Sequence, residues 1–474
     1  MTKKIILFEL NEVPWRVIDD FVQDHPRSCL ARLLPAMRTF RTYAEDTGLS
    51  PWITWPTLHR GVSDEQHTVS DFGQDLSEIN AAYPSVWEIL VRNGISTGVC
   101  GSLHSYPLPP NAAAYAFFIP DVFAAGSECF PPSIETFQAF NLEMSRGSAR
   151  NVSSSVPWRK AWRVLAGAPG LGLRPSTLLA VGRQLANERR QRWVRVRRRT
   201  LQVVLAFDIF MRQLQATQPA FSTFFTNHVA STMHRYWAAR YPDDYDQFAY
   251  GREWVDTYRH EIAWTMSRFD AMLARLAGFV ERNPDYALWI ATSMGQAATE
   301  ATEVQTQVYL TDVARFMRRL GFSPADWEVR PAMLPRVIVA MKNGRAGTLA
   351  AMLQTIQIGG AGALPWKRLD ADVFRIHPGA LQNVHDEFCL LGDRRVPFAE
   401  LGFANVAIED SAGQSAYHIP SGALMIHAPR GVRPDGTRTE ISTLEVAPMI
   451  LANFGVTPPP YMRQPPSSGV AAAI

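Results

Sequence analysis

Three short apolar runs in this chain each end in polar side chains that could do chemistry. Residues 5–10 (IILFEL) run into Asn11-Glu12, 221–226 (FSTFFT) into Asn227-His228, and 286–292 (YALWIAT) into Ser293-Met294-Gly295-Gln296. Imidazole and amide groups gathered at one point can move protons or bind an anion. Whether they gather depends on the elements that carry them. Apolar runs this short and continuous read as strands buried on both faces, which favour a parallel sheet covered by helices. The carboxyl ends of such strands share one edge, and ligands bind there. The three polar ends are therefore expected to converge.

The remaining elements fit the same frame. Residues 85–94 read as a helix stopped by Asn93-Gly94, followed by a strand at 95–100. A stripe of Trp254, Tyr258, Ile262, Met266 and Phe269 at helical spacing marks a core-facing helix over 252–280. A late strand at 422–427 and a helix at 444–454 close the pattern. The alternation breaks at 140–220, which reads as a helical insertion or cap. It holds the densest basic run, residues 189–199, ahead of an apolar helical segment at 201–216. Such a run is a solvated helix face, or a rim that draws an anion, an acidic partner or a membrane surface. The expected division is a core in two parts, 1–139 and 221–456, the cap at 140–220, and a Pro-rich tail at 457–474.

Composition narrows the class. The chain has 474 residues, 47% hydrophobic and 19% charged, which excludes disorder, collagen and coiled coil. A net charge of +3 is too even to argue for nucleic acid. The four cysteines contain no C-x-x-C and fit a reducing compartment. Lys3-Lys4 precede an apolar run that is too short for a signal peptide. No run approaches the roughly 20 apolar residues of a membrane span. A cytoplasmic protein without a transmembrane segment is the expectation.

Four stretches carry a family resemblance. They are IILFELNE at the start, Gly61-Val62-Ser63-Asp64-Glu65-Gln66-His67, TNHVASTMHRYW (226–237), and HIPSGALMIHAPRG (418–431) followed by LEVAPMILANFGV (444–456). They resemble the alkaline phosphatase superfamily, and within it the type I phosphodiesterase/nucleotide pyrophosphatase branch. The resemblance implies an α/β fold: a mainly parallel central sheet flanked by helices, with a helical insertion or cap. It also implies two-metal phosphoryl or sulfuryl transfer from a Thr or Ser nucleophile, with Asp and His ligands suited to zinc or manganese.

The ligands carry over only in part. His234 and His418 match metal-binding histidines. The first Asp falls on Asn11, with Glu9 two residues away on the same face of a period-2 strand. The Asp four positions before His234 is Ala230, and His228 lies nearby instead. Where the family has Ser-Asp-His-Gly, this chain has Ser293-Met294-Gly295-Gln296. Thr54 is the candidate nucleophile, with Ser50 and Thr57 as neighbouring hydroxyls.

The expected catalytic set is thus Thr54, His228, His234 and His418. Glu9, Asn11, Ser293 and Gln296 are expected to bind substrate, and His234 and His418 to hold one divalent cation, zinc or manganese, if any. The expected function is transfer or hydrolysis of a phosphate, sulfate or related group on a small anionic substrate, sugar- or nucleotide-linked, at a one-metal or metal-free site. Two alternatives stand beside it. One is a non-catalytic pseudo-phosphatase that binds an anion. The other is a conventional two-metal phosphodiesterase drawing carboxylates from Asp386 or Asp410.

Overall fold

The computed structural model describes residues 3–463 apart from 73, 147, 149–150, 153–154 and 432. Ten strands build the central region: β1 (Lys4–Leu10), β2 (Arg38–Tyr43), β3 (Thr97–Cys100), β4 (Phe117–Ile119), β5 (Phe221–Thr226), β6 (Tyr286–Ala291), β7 (Gly295–Ala298), β8 (Ala416–Ile419), β9 (Ser421–His427) and β10 (Asp435–Ser442). Eight of them form one sheet in the order β10-β2-β9-β6-β1-β5-β3-β4. β9 runs antiparallel to both its neighbours, and the other pairings are parallel. β7 and β8 pair antiparallel beside the sheet, with His418 opposite Gln296. A mostly parallel sheet flanked by helices is the α/β architecture the sequence implies.

β1 sits centrally between β5 and β6, and its alternation feeds two cores. Ile6, Phe8 and Leu10 point to one face, where Phe207, Phe210, Phe224, Met266 and Phe269 pack. Ile5 and Leu7 point to the other, among Trp55, Trp289, Leu424 and Ile450. Both faces are covered, which is why these strands read as continuous apolar runs.

The helices that matter here are α1 (Pro51–Arg60), α2 (Glu135–Arg146), α3 (Trp158–Ala166), α4 (Pro175–Asn187), α5 (Arg198–Thr217), α6 (His228–Arg240) and α7 (Glu261–Arg282). α5 packs directly on the sheet: the Phe210 and Phe224 ring centroids are 4.9 Å apart. The single helix expected over 252–280 is broken at Arg259-His260 into Arg252–Tyr258 and α7. Its stripe divides accordingly. Tyr258 stacks on Tyr236 of α6, while Ile262, Met266 and Phe269 enter the main core.

Residues 308–403 gather a third apolar cluster around two small four-stranded antiparallel sheets. Strands such as Trp366–Asp370 are short and largely exposed, so they give no continuous apolar signal. After residue 457 the chain runs back along the core. Met462 is buried there, and Arg463 pairs with Glu45 at 2.6 Å. Residues 464–474 of the Pro-rich end lie outside the described residues. No helix of the described residues is long and apolar enough to cross a membrane.

Candidate functional site

The three polar strand ends do meet, and they meet around an acid. β1 ends at Leu10, and the chain turns at Glu12, whose φ of 60° is left-handed. The turn aims the Glu12 carboxylate at α6 and β8. Glu12 Oε2 lies 2.9 Å from His234 Nε2 and 3.3 Å from His418 Nε2. Gln296 Nε2 donates to the same oxygen. Asn11 Nδ2 donates to Glu12 Oε1 at 2.7 Å.

Both rings are oriented from behind. His234 Nδ1 donates to the Ala416 carbonyl at 2.8 Å, and His418 Nδ1 to the Leu49 carbonyl at 2.6 Å. A carbonyl only accepts, so each Nδ1 carries its proton and each Nε2 faces Glu12. Backbone pinning of the far nitrogen is the usual arrangement of metal-ligating histidines. The ligand atoms of Glu12, His234 and His418 all lie within 4.8 Å of one another, and no other such group of His, Cys, Asp or Glu occurs among the described residues. Two imidazole nitrogens and a carboxylate oxygen suit zinc or manganese.

Electrostatics tie the trio together. Burial would raise the Glu12 carboxyl, but the His418 and His234 rings outweigh it and hold it well below the usual carboxylate range. Burial would lower His418, but Glu12 overrides it and raises the ring. With both rings protonated, the same contacts form an ion pair.

The trio opens into a cleft of about 570 Å³ at the carboxyl edge of the sheet. α2 and α5 supply one wall, through Gln138, Asn141, Arg199 and Gln202. Trp52, Phe123 and Phe225 supply an apolar side, and Arg336 and His377 come from the region of small sheets. Arg199 Nη1 donates to Ser231 Oγ at 3.0 Å. Burial lowers its guanidinium to about 10, so it keeps its charge at neutral pH. Elsewhere in the basic run, Arg195 pairs with Glu409, Arg197 with Glu261, and Arg198 with Glu188.

The other expected residues lie elsewhere. Thr54, in the second turn of α1, is fully buried and shares a 2.8 Å hydrogen bond with Ser293 Oγ. Neither lines the cleft. Asn11 is held as a junction: it donates to Asn227 Oδ1 at 2.8 Å and accepts from Trp55 Nε1 at 2.7 Å. Glu9 is buried against His59 Nε2 at 2.8 Å and lies apart from the trio. His228 borders the cleft, buried at the first position of α6, and burial lowers its ring to about 3. Asp410 is committed to Arg235 and Tyr236, and Asp386 is exposed.

Of the three candidate hydroxyls Ser50, Thr54 and Thr57, Ser50 is the one that lines the cleft. It caps the N-terminus of α1 without a side-chain cap bond and follows Leu49, whose carbonyl holds His418. The segment before it is anchored. Thr57 Oγ1 donates to Asp46 and accepts from His67 Nε2 at 2.9 Å, while Val69 N donates to His67 Nδ1 at 3.0 Å. Thr47 N donates to Asp64 Oδ2 at 2.9 Å.

Met294 and Gly295 stand where the resemblance implies an Asp and a His. Met294 is fully buried. At Gly295 an added Cβ would sit 2.2 Å from the Ser421 carbonyl oxygen, so β9 leaves no room for a ligating side chain.

No protein-family model matches the chain, and no curated protein sequence matches it. Two solved structures overlie it along nearly its whole length. They are murine ectonucleotide pyrophosphatase / phosphodiesterase 5 and an inactive form of that protein in complex with AMP. Each is 10% identical, covers 97% of this chain and 96% of its own, and gives a TM-score of 0.41. Overlap that loose carries no argument about activity. The α/β assignment stands on the sheet order of the chain itself.

Glu12 is the residue that strand periodicity overlooks. Its signal was present, an acid beside Asn11 at the carboxyl end of β1. The alternation that grouped Glu9 with Asn11 ends with the strand, and a left-handed turn then sets the direction.

Proposed function

We propose that the chain is a single-cation hydrolase or transferase acting on a phosphate, sulfate or related group of a small anionic substrate held in the cleft. The observation that carries this reading is the Glu12–His234–His418 trio, pinned by two backbone carbonyls and open to the cleft. A divalent cation held by these three residues would supply Lewis-acid polarisation of a substrate oxygen and a lowered pKa for a bound hydroxyl.

The chain's own groups then divide the work. Arg199 and Arg336 line the cleft and favour an anion there. The N-terminal end of α1 favours negative charge through its dipole. Ser50 Oγ, at that end, is the hydroxyl placed to attack the phosphorus or sulfur. Gln296 and Asn11 hold the Glu12 carboxylate in one orientation.

The test is metal content by mass spectrometry after incubation with zinc and with manganese, paired with a panel of phosphate and sulfate esters. About one equivalent is expected in the wild type and none in His418→Ala, with turnover following the metal. Two equivalents, or none in the wild type, would overturn the single-cation reading. One equivalent without turnover on any ester would favour a non-catalytic anion binder.

A further inference from the structure

The helical insertion carries an apolar ridge on its outer surface. Trp158, Trp162 and Leu165 of α3 are 55%, 67% and 41% exposed. Their spacing, i, i+4 and i+7, puts them on one helix face. The inward side of α3 is satisfied separately: Val164 is buried in the main core, and Ala161 packs against it. The tryptophans are therefore not a mis-seated core face. On α4, Leu179 is a further exposed apolar side chain, at 53%.

The charge around the ridge is one-sided. Between Ser155 and Thr200 the sequence holds twelve arginines and lysines and a single acid, Glu188. Glu188 is itself paired with Arg198. Arg159 and Arg163 flank the tryptophans one residue further round α3, and both are exposed. Arg183, Arg189, Arg190 and Arg192 are exposed on the same insertion. None of these six forms an ion pair among the described residues. The whole chain is only +3, so the positive charge is concentrated in this segment.

We propose that the insertion docks onto an anionic lipid surface through α3, with Trp158, Trp162 and Leu165 entering the headgroup boundary and the arginines meeting lipid phosphates. Exposed tryptophans beside arginines are the composition of interfacial helices, because an indole offers apolar area and one polar N–H. Juxtamembrane arginines add attraction to anionic leaflets. A symmetric contact with a second copy is disfavoured, since it would oppose Arg159 and Arg163 of both copies. Nucleic acid would use the arginines but leave the tryptophan–leucine ridge in water. α3 packs against α2, which forms a wall of the cleft, so docking would place the cleft one helix from the lipid.

The experiment is vesicle co-sedimentation of the full chain, using neutral phosphatidylcholine vesicles and vesicles containing phosphatidylglycerol. Binding to the phosphatidylglycerol vesicles is expected, weakening as salt rises. Trp158→Ala/Trp162→Ala should weaken it at least tenfold without changing the far-UV circular dichroism spectrum. Arg159→Gln/Arg163→Gln should weaken it by about fivefold per arginine removed. Failure to sediment with phosphatidylglycerol vesicles would overturn the proposal. So would binding that the tryptophan variant leaves unchanged, or a wild-type dimer that this variant converts to monomer without any vesicle binding.

Discussion

Two groups at the carboxyl edge of the same sheet are built in opposite ways. Glu12, His234 and His418 bring a carboxylate and two imidazoles together at the mouth of the cleft. Thr54, Ser293, Asn11 and Trp55 bring neutral groups together beneath it, pairing donor with acceptor and leaving little exposed. The first group is held from behind by carbonyls and turns both Nε2 atoms onto one oxygen of Glu12 at the cleft. The second spends its polar atoms on joining elements, Asn11 reaching from it to Asn227 and to Glu12. Polar residues at strand ends are thus not one class. Those whose hydrogen bonds close beneath the surface join elements, and those whose ligand-type atoms converge at a cavity are available for chemistry.

The largest expected effect separates two hydroxyls on one helix. Ser50→Ala should cut turnover by about a thousandfold or more, the scale of removing an attacking hydroxyl, while metal content and melting temperature stay unchanged. The pairing makes the result decisive, because Thr54 lies one helical turn away and is closed off by Ser293. An active Ser50→Ala enzyme would move the chemistry away from the N-terminus of α1.

Next in size is the support behind the trio. Gln296→Leu removes the amide donor to Glu12 Oε2 and should lower metal affinity about 10–100-fold, as loss of an outer partner does. Zinc titration against a competing chelator reads it. Unchanged affinity would mean that Glu12 is held by Asn11 alone.

How far the sequence reaches is decided by the same contrast. β1, β5 and β6 were legible because burial on both faces leaves an unbroken apolar run, and their polar ends lie together at one edge of the sheet. His234 and His418 were legible by motif. Ser50 and Glu12 were harder, since each sits at a turn where neither period 2 nor period 3.6 applies. Glu12 depends on a positive φ, and Ser50 on where α1 begins. In the small sheets of 308–403, exposed strands such as Trp366–Asp370 left no signal, whereas Val337–Met341 (VIVAM) is a fully buried apolar run that was legible in the sequence. Thr54 and Ser293 carry suitable groups, and only the 2.8 Å bond between them in the fold takes them out of the cleft.

A smaller effect tests the closed group directly. Thr54→Val keeps the shape but leaves the buried Ser293 hydroxyl without its partner, at a cost of about 1–3 kcal/mol. Urea denaturation should record that loss, with turnover per folded molecule retained. A stable but inactive Thr54→Val protein would place Thr54 with the chemistry and dissolve the distinction between the two groups.

The smallest effect concerns two histidines on α6. His234 keeps a polar partner on each ring nitrogen, whereas His228, six residues earlier, is buried, and burial lowers its ring to about 3. An unfolded histidine titrates near 6.5. Between those values the unfolded chain binds a proton that the folded one refuses, so stability falls as pH drops from about 6.5 towards 3 and is unaffected by this group above 7. His228→Leu removes the difference. Urea midpoints at pH 7.5, 6.0 and 5.0 should therefore decline less steeply in the variant than in the wild type. Equal slopes would mean that His228 accepts a proton within the fold, and burial would then not be what sets its ring.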